Sequence, residues 1–303
     1  MKAPLKVTLV ASLVVTAICA VFSLTQYQQT KNFILAKKQQ SVDDISQGFS
    51  NKTSDWLNGK LGLISLTSEI MDANFSAEFV KKTLQTPILD KEFELIFGGL
   101  DTDGAWITNS STWNPLIKDV RVRPWYPLGK NASTATLTAP FADAAGGGLI
   151  ISAVAKITEN GEFKGVFGGD LSLTAISKSL SDIKFNDTGY AFLVNDSGMI
   201  ISHPYKGLFG KPISDLFDGK APTFTNTLSG VTIGGKKFYS SFTTIEGVPG
   251  AKWFVGAVID EDLAMQEAVK QSWTALALSI TSVLVCSFII YLVVVRLLKP
   301  TKE

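Results

Sequence analysis

Two segments without a charged residue stand near the two ends of the chain, and they constrain its fold more than any other feature. The first covers residues 7–30 and the second covers residues 271–295. A helix rises about 1.5 Å per residue, so each segment is long enough to cross the hydrocarbon core of a membrane. The basic residues on their outer sides are Lys2, Lys6, Arg296, Lys299 and Lys302. The positive-inside bias therefore predicts that both ends face the cytoplasm and that the segment between them lies across the membrane.

The first apolar segment has two alternative interpretations, a cleaved signal peptide and a lipoprotein signal. Its apolar run is longer than the apolar core of a signal peptide, and the small-residue cleavage pattern around Cys19 and Ala20 is poor. Ile18 stands where a lipoprotein site requires a small residue before the cysteine. These features favour an uncleaved anchor.

The composition of the segment between the two anchors excludes several classes of function. The whole chain has 28 basic and 27 acidic residues, and removing the five flanking cations and Glu303 leaves 23 and 26. This mildly negative charge gives no electrostatic reason to expect a nucleic acid partner. Both cysteines, Cys19 and Cys286, lie in the apolar segments, so the external domain is predicted to fold without a disulfide. The single histidine, His203, argues against histidine-based metal sites and histidine-dependent nucleophilic catalysis, and we predict no cofactor.

A long helix is predicted after the first anchor, because no proline occurs between that anchor and Pro87. Apolar residues recur there every seven positions, namely Val42, Phe49, Trp56, Leu63 and Ile70, with Ile45 and Leu66 between them. This spacing describes one apolar stripe along a helix. Lys52 and Gly59 interrupt the stripe. We expect a homodimer, although the same stripe could instead pack against the domain that the helix belongs to.

Two similar hairpin motifs indicate that the external domain contains two related units. DTDGAWI begins at Asp101, and NDSGMII begins at Asn195, 94 residues later. Each motif follows a strand-like run and contains a glycine where a tight hairpin turn needs a positive backbone angle. Each copy is followed by a further strand that leads into a helix, over residues 165–171 and 253–259. The sequence therefore predicts a tandem of two similar units.

These observations predict an α+β fold, in which a long N-terminal helix carries two tandem units of antiparallel sheet between two transmembrane helices. The last helix is predicted to begin at Asp260, where successive carboxylates favour a helix N-terminus. The predicted boundaries are 7–28 for the first transmembrane helix, 31–76 for the stalk helix, 77–185 for the membrane-distal unit, 186–262 for the membrane-proximal unit, 272–295 for the second transmembrane helix and 296–303 for the segment that follows.

The membrane-distal unit differs from the other unit in its charged residues. The block KDVRVRPWY over residues 118–126 has no equivalent in the second unit, and Asp170 occupies a mid-strand position where the second unit has Val258. A carboxylate that faces a core is costly unless it is paired or bound to a ligand. Asp143, after the predicted strand at 134–141, is a further candidate for the same cleft.

These residue types suit a small zwitterion. Arg123 could bind a carboxylate through two parallel hydrogen bonds, while Asp143 and Asp170 could accept hydrogen bonds from an ammonium group. Trp125 and Tyr126 could donate further bonds and exclude water. Two alternatives stay open on spacing alone: a structural ion pair between the arginine and an aspartate, and a hydrolase that uses the two aspartates. The hydrolase would need a further acid–base residue, and none is apparent.

The external domain resembles the double Cache (dCache) sensor domains of bacterial transmembrane receptors, most often methyl-accepting chemotaxis proteins. The motifs that carry the resemblance are RVRPWY at 121–126, GVFGGDLSL at 165–173 and GYAFLVNDSGMIISHP at 189–204. The resemblance spans roughly residues 33–263, and it implies a structural role for His203. Leu298-Lys299-Pro300 also resembles the entry to a HAMP linker.

Within that family, the members that bind amino acids share a pocket motif in the membrane-distal unit. The resemblance implies that Arg123, Trp125 and Tyr126 contact the ligand carboxylate and that Asp143 and Asp170 contact its amino group.

Two positions depart from the family pattern, since Lys118 and Phe141 stand where a tyrosine is common. We include both among the candidate ligand-binding residues. The departures leave open which side chain is accepted, and whether the ligand is an amino acid or a related amine or sulfonate.

The resemblance implies a receptor in the bacterial inner membrane, with its sensor domain in the periplasm and no enzymatic activity. Ligand binding would shift the terminal helix and act on cytoplasmic signalling partners through a C-terminal region beyond this sequence. Two alternatives remain: the same sensor on a histidine kinase or a cyclic-dinucleotide enzyme, and a membrane-anchored module that delivers solute to a transporter.

Overall fold

A computed structural model of the chain describes residues 3–142, 149–171, 173, 180, 183, 185 and 187–297. The chain divides into two compact parts. One is Val42–Ile259, and the other consists of the two terminal segments, Met1–Ser41 and Asp260–Glu303.

Five helices are described. Helix α1 spans Ala3–Ala73, and two short helices follow it, α2 (Ala77–Leu84) and α3 (Pro87–Glu92). Helix α4 spans Trp125–Asn131, and α5 spans Glu261–Leu297.

Capping side chains explain where two of these helices begin. Ser76 accepts a hydrogen bond from the backbone nitrogen of Phe79 at the start of α2. Asp260 accepts one from the backbone nitrogen of Leu263, 3.0 Å away, at the start of α5. Both bonds satisfy amides that have no partner inside the helix.

The predicted seven-residue stripe matches the buried face of α1 only in its first half. Val42 and Phe49 are buried, but Leu66 is 54% exposed and Ile70 is 43% exposed. A straight helix has about 3.6 residues per turn, so a strict seven-residue repeat drifts by ~20° per repeat away from a fixed face. The buried face includes several small polar residues that the apolar stripe omits: Ser46, Ser50, Thr53 and Thr67, together with Leu57, Leu61, Ile64 and Met71.

The first unit contains a six-stranded antiparallel sheet with the order β2-β1-β6-β5-β3, and β4 also pairs with β5. Its strands are β1 (Ile96–Leu100), β2 (Ile107–Thr108), β3 (Thr136–Leu137), β4 (Phe141–Ala142), β5 (Leu149–Glu159) and β6 (Glu162–Leu171). The predicted strand at 134–141 is therefore two short strands, because Pro140 lies between them and has no backbone N–H to donate to a ladder.

The second unit contains a five-stranded antiparallel sheet with the order β8-β7-β11-β10-β9. Its strands are β7 (Gly189–Asn195), β8 (Ile200–Ser202), β9 (Ser229–Ile233), β10 (Lys236–Ile245) and β11 (Trp253–Asp260). With β4 set aside, the strands follow one another in the same order in both sheets. The predicted α+β fold with two tandem antiparallel units is confirmed.

Strand register refines the predicted alignment of the two units. Phe97 lies opposite Gly168 in the first sheet, and Phe192 lies opposite Gly256 in the second. The two phenylalanines are 95 residues apart rather than 94, because the second hairpin turn is one residue shorter. Both turns still use a glycine with positive φ, at +65° for Gly104 and +81° for Gly198.

Each sheet has its own apolar core. In the first unit the buried core residues are Phe97, Val120, Trp125, Tyr126, Val154 and Val166. In the second unit they are Phe192, Val194, Ile200, Ile213, Leu216, Phe217, Phe242 and Val258. The units meet where the backbone nitrogen of Leu137 donates to the carbonyl of Pro249 at 2.9 Å. The boundary predicted between them at residue 185 stays a prediction.

The two terminal segments contain the helices predicted to cross a membrane. By length and composition alone, α1 and α5 are both candidate spans. The two helices run antiparallel, since Ser12 contacts Ser287 at 2.7 Å and Ser23 contacts Ser279 at 3.0 Å. Serine pairs of this kind are typical of helix contacts in a lipid environment. The predicted HAMP-like segment at 298–300 lies outside the described residues.

Candidate functional site

The first unit contains a small cleft with about 190 Å³ of space among its lining atoms, part of it open solvent. Its lining residues combine aromatic rings with one cation and one anion: Phe97, Trp106, Trp113, Arg123, Trp125, Phe141, Ile150 and Asp170. Four of them were predicted from the sequence as ligand-binding residues, namely Arg123, Trp125, Phe141 and Asp170.

A short 3-10 turn presents Arg123 to the cleft. The turn spans Val120–Val122, and Asp119 caps it by accepting a hydrogen bond from the backbone nitrogen of Arg121 at 2.9 Å. Arg123 follows in an extended conformation, which its neighbour Pro124 favours. Only 8% of Arg123 is exposed, and its guanidinium carbon lies 5.6 Å from the ring centre of Phe141. The local sequence therefore directs a cation into the cleft.

Strand β6 presents Asp170 to the same cleft. Asp170 is 6% exposed and lies opposite Ser152 of β5, whose hydroxyl donates a hydrogen bond to its carboxylate. Its backbone is held from the other side, because the Asp170 nitrogen donates to the Leu95 carbonyl at 2.8 Å. A buried carboxylate on a central strand is costly, so this placement suggests an ionic or hydrogen-bonding role.

Aromatic rings form one wall of the cleft. Trp125 is buried at the start of α4, with its ring centre 4.7 Å from Phe97 and 5.6 Å from Trp106. Trp113 packs edge-on against Trp106 at 4.7 Å. The indole nitrogen of Trp106 donates to the Ile117 carbonyl at 2.8 Å, which anchors the loop that carries Trp113. This wall excludes water and offers apolar contact area.

Tyr126 lies next to Trp125 in sequence but does not line the cleft. Its hydroxyl donates a hydrogen bond to the Asp101 carboxylate at 3.0 Å. Burial, and then the bond to Asp101, raise the pKa of Tyr126 well above its ordinary value, so the hydroxyl stays protonated. The bond ties α4 to the turn between β1 and β2. A contact between Tyr126 and a ligand stays a prediction.

Two further predicted residues lie elsewhere. Lys118 is exposed, and its ammonium donates to the side-chain oxygen of Asn114 at 2.7 Å rather than lining the cleft. Asp143 lies outside the described residues. Their roles in binding also stay predictions.

The sequence reasoning missed four residues that line the cleft, Phe97, Trp106, Trp113 and Ile150, and it missed Ser152, which donates a hydrogen bond to Asp170. One signal was available for two of them, since three of the six tryptophans fall between residues 106 and 125. Nothing in the sequence pairs Ser152 with Asp170, because the contact depends on the register of β5 against β6.

The side chains that line the cleft therefore match a small molecule with a negative group, a positive group and an apolar part. A guanidinium suits a carboxylate, and a buried carboxylate suits an ammonium group. Among the residues described, no group of three or more histidine, cysteine, aspartate or glutamate side chains is placed to hold a metal ion.

A family model described as a Cache domain (dCache_1) matches residues 26–268 of the chain. The methyl-accepting chemotaxis protein PctB of Pseudomonas aeruginosa is 27% identical over 298 residues, which are 98% of this chain and 47% of PctB. The methyl-accepting chemotaxis protein McpG of Pseudomonas putida is 32% identical over 260 residues, 86% of this chain and 40% of McpG. The chain thus spans less than half the length of these two relatives. The predicted resemblance to double Cache sensor domains is confirmed.

A solved structure supports the same comparison. The ligand-binding domain of the Pseudomonas fluorescens chemoreceptor CtaA, in complex with L-isoleucine, matches with a TM-score of 0.71 and 32% identity. The match covers 78% of this chain and 98% of that domain.

Proposed function

This chain belongs to the Cache domain family, and we propose that it is the sensor region of a transmembrane chemoreceptor whose first unit binds a small amino-acid-like ligand. In this proposal the protein is a receptor and not an enzyme. Its similarity to the methyl-accepting chemotaxis proteins PctB and McpG supports a role in chemotaxis.

One observation carries the proposal, the presence of Arg123 and Asp170 in a single cleft. Both side chains are more than nine-tenths buried and have opposite charges. Arg123 is proposed to bind the ligand carboxylate, and Asp170 is proposed to accept hydrogen bonds from its ammonium group. Trp125 and Phe141 would lie along the ligand between these ends. Lys118 and Tyr126 would have to leave their present partners, Asn114 and Asp101, to contact the ligand, and with Asp143 they stay predictions.

The lining of the cleft supports a ligand with an apolar part. The cleft is nearly closed in this structure, so a ligand would enter it with a rearrangement of the lining side chains. The aromatic wall favours a ligand with an apolar side chain. The related CtaA domain holds L-isoleucine, an amino acid with an apolar side chain.

The proposed location is the bacterial inner membrane, with the two sheet units in the periplasm. The candidate spans in α1 and α5 support this location. We also propose a homodimer, because Leu66 and Ile70 form an exposed apolar pair one turn apart on α1. Strand β11 ends at Asp260 and α5 begins at the next residue, so a shift in the second sheet would pass into α5 without an intervening loop.

A thermal-shift screen of the 303-residue chain in lipid nanodiscs tests the proposed ligand class. A ligand that binds only the folded state raises the unfolding temperature, so some amino acids should stabilise the chain while sugars, nucleotides and divalent metals should not. Arg123→Gln should abolish the shift. Arg121→Gln is the matched control, since Arg121 lies two residues away and forms an exposed ion pair with Asp119. Stabilisation by a sugar alone would contradict the proposal.

A further inference from the structure

Lys60 is a buried lysine of α1 that contacts the first unit. It is 9% exposed, and its ammonium donates hydrogen bonds to both the carboxylate and the backbone carbonyl of Glu92, each at 2.7 Å. The rings of Trp56 and Phe93 lie 5.5 and 5.4 Å from the ammonium. The hydrogen bond from Lys60 lowers the pKa of Glu92 below its ordinary value. The lysine is thus held by charge, hydrogen bonds and two aromatic faces.

The chain that leaves Glu92 leads directly to Asp170. Phe93 packs against the backbone of Gly169, where an added Cβ would overlap its ring. The Glu94 nitrogen then donates to the Asp170 carbonyl at 3.0 Å, and the Asp170 nitrogen donates to the Leu95 carbonyl at 2.8 Å. The backbone N–H and C=O of Asp170 are therefore held by Leu95 and Glu94, which lie within three positions of Glu92, the partner of Lys60.

We propose that Lys60 is a positioning residue for the ligand's ammonium end, because it fixes the segment that holds the backbone of Asp170. The proposal rests on the function proposed above, since it assumes that Asp170 contacts the ligand. If so, the contact between Lys60 and Glu92 couples α1 to the cleft. Coupling of this kind is reciprocal, so a contact that sets ligand affinity is itself strengthened when the ligand binds.

The first test needs no ligand. Lys60→Met keeps the unbranched chain between the two rings and removes the ammonium. Hydrogen exchange of the Glu94 and Asp170 amides in the 303-residue chain should then quicken by roughly tenfold, which corresponds to opening that is easier by about 1.4 kcal/mol. Lys164→Met is the matched control, because Lys164 lies on β6 and pairs with Glu159 and Glu162. Equal exchange in Lys60→Met and the wild type would overturn the proposal.

The second test separates positioning from general stability. An amino acid that binds the wild type should bind Lys60→Met about fivefold more weakly or worse, while its deaminated analogue should lose less than about twofold. A residue that supports only stability would lower the unfolding temperature without changing this ratio, and that result would overturn the proposal. Lys60→Arg keeps the charge and should restore part of the discrimination. A wild type that binds no amino acid would instead contradict the proposed function. The exchange test would still show whether Lys60 fixes the segment that holds Asp170.

Discussion

At the scale of the residue, His203 shows how burial shifts the pKa of a side chain. Its Nδ1 accepts a hydrogen bond from the backbone nitrogen of Tyr205 at 2.9 Å, and its ring packs edge-on against Tyr190 at 5.0 Å. Burial lowers the pKa of His203 from 6.5 to about 4. The histidine is therefore neutral in the folded chain at neutral pH, in keeping with the structural role predicted for it.

This lowered pKa predicts a loss of stability in acid. Below pH 6.5 the unfolded chain binds a proton at His203 that the folded chain does not bind, so the free energy of unfolding falls until the pH passes the folded pKa near 4. Between pH 7.5 and 5.5 the expected loss is about 1.4 kcal/mol. Urea unfolding at both pH values measures it. His203→Asn, whose side-chain oxygen can accept the bond from Tyr205, should remove most of the difference, and an unchanged difference would show that other groups cause it.

Individual residues also show what could be predicted from the sequence. Arg123 and Asp170 stand out because the second unit has no counterpart to either charge, and the structure places both in one cleft. The direction of Tyr126 could not be predicted, because it depends on an acceptor 25 residues away, Asp101. Trp113 lies in a loop without periodicity, and its place at the cleft depends on packing against Trp106.

At the scale of the element, α1 combines an apolar face with a row of small hydroxyl side chains. Ser50 donates to the Thr244 carbonyl at 2.8 Å, and Ser68 donates to the Lys156 carbonyl at 2.6 Å. These bonds let the helix approach both sheets closely while their carbonyl groups remain satisfied. The pattern of apolar residues alone predicted the helix but not this face, because serine and threonine do not contribute to an apolar stripe.

The corrected face of α1 predicts unequal effects of one substitution at two positions. Leu57→Ala removes a fully buried side chain and should lower the free energy of unfolding by about 2–5 kcal/mol. Leu66→Ala, on the exposed side of the same helix, should change it by less than about 0.5 kcal/mol in the monomer. Urea unfolding of both variants at low protein concentration makes the comparison. Similar losses at both positions would restore the seven-residue stripe as the buried face.

The seam between α1 and α5 can be tested by cross-linking. Ser23 and Ser279 lie 3.0 Å apart, so Ser23→Cys with Ser279→Cys should form a disulfide within one chain under mild oxidation. Cys19 and Cys286 are first replaced by serine to remove competing thiols. Ser23→Cys paired with Leu284→Cys is the control, because Leu284 is exposed further along α5. A cross-link that forms equally well in the control would contradict the antiparallel register of the two helices.

At the scale of the whole molecule, the two sheets share one strand order but carry different side chains at matching positions. Asp170 lies two residues after Gly168 in β6, and Val258 lies two residues after Gly256 in β11. Val258 is fully buried in the apolar core of the second unit, next to Phe192. The repeat could be predicted because turn glycines and strand lengths are local features. The size of the cleft could not, because it depends on how loops from distant positions pack.

The central claim is that Asp170 and Arg123 bind the two charged ends of one small ligand. Calorimetric titration of the 303-residue chain with an amino acid and with its deaminated analogue tests it most directly. Removing one partner of a buried charge pair costs about 2–5 kcal/mol, which is at least a tenfold loss of affinity. We predict that Asp170→Asn weakens the amino acid at least about tenfold and affects the analogue much less, while Arg123→Gln weakens both. Asp103→Asn, an exposed aspartate of the same unit, should change neither. Equal losses for the two ligands in Asp170→Asn, or unchanged binding in both cleft variants, would contradict the account.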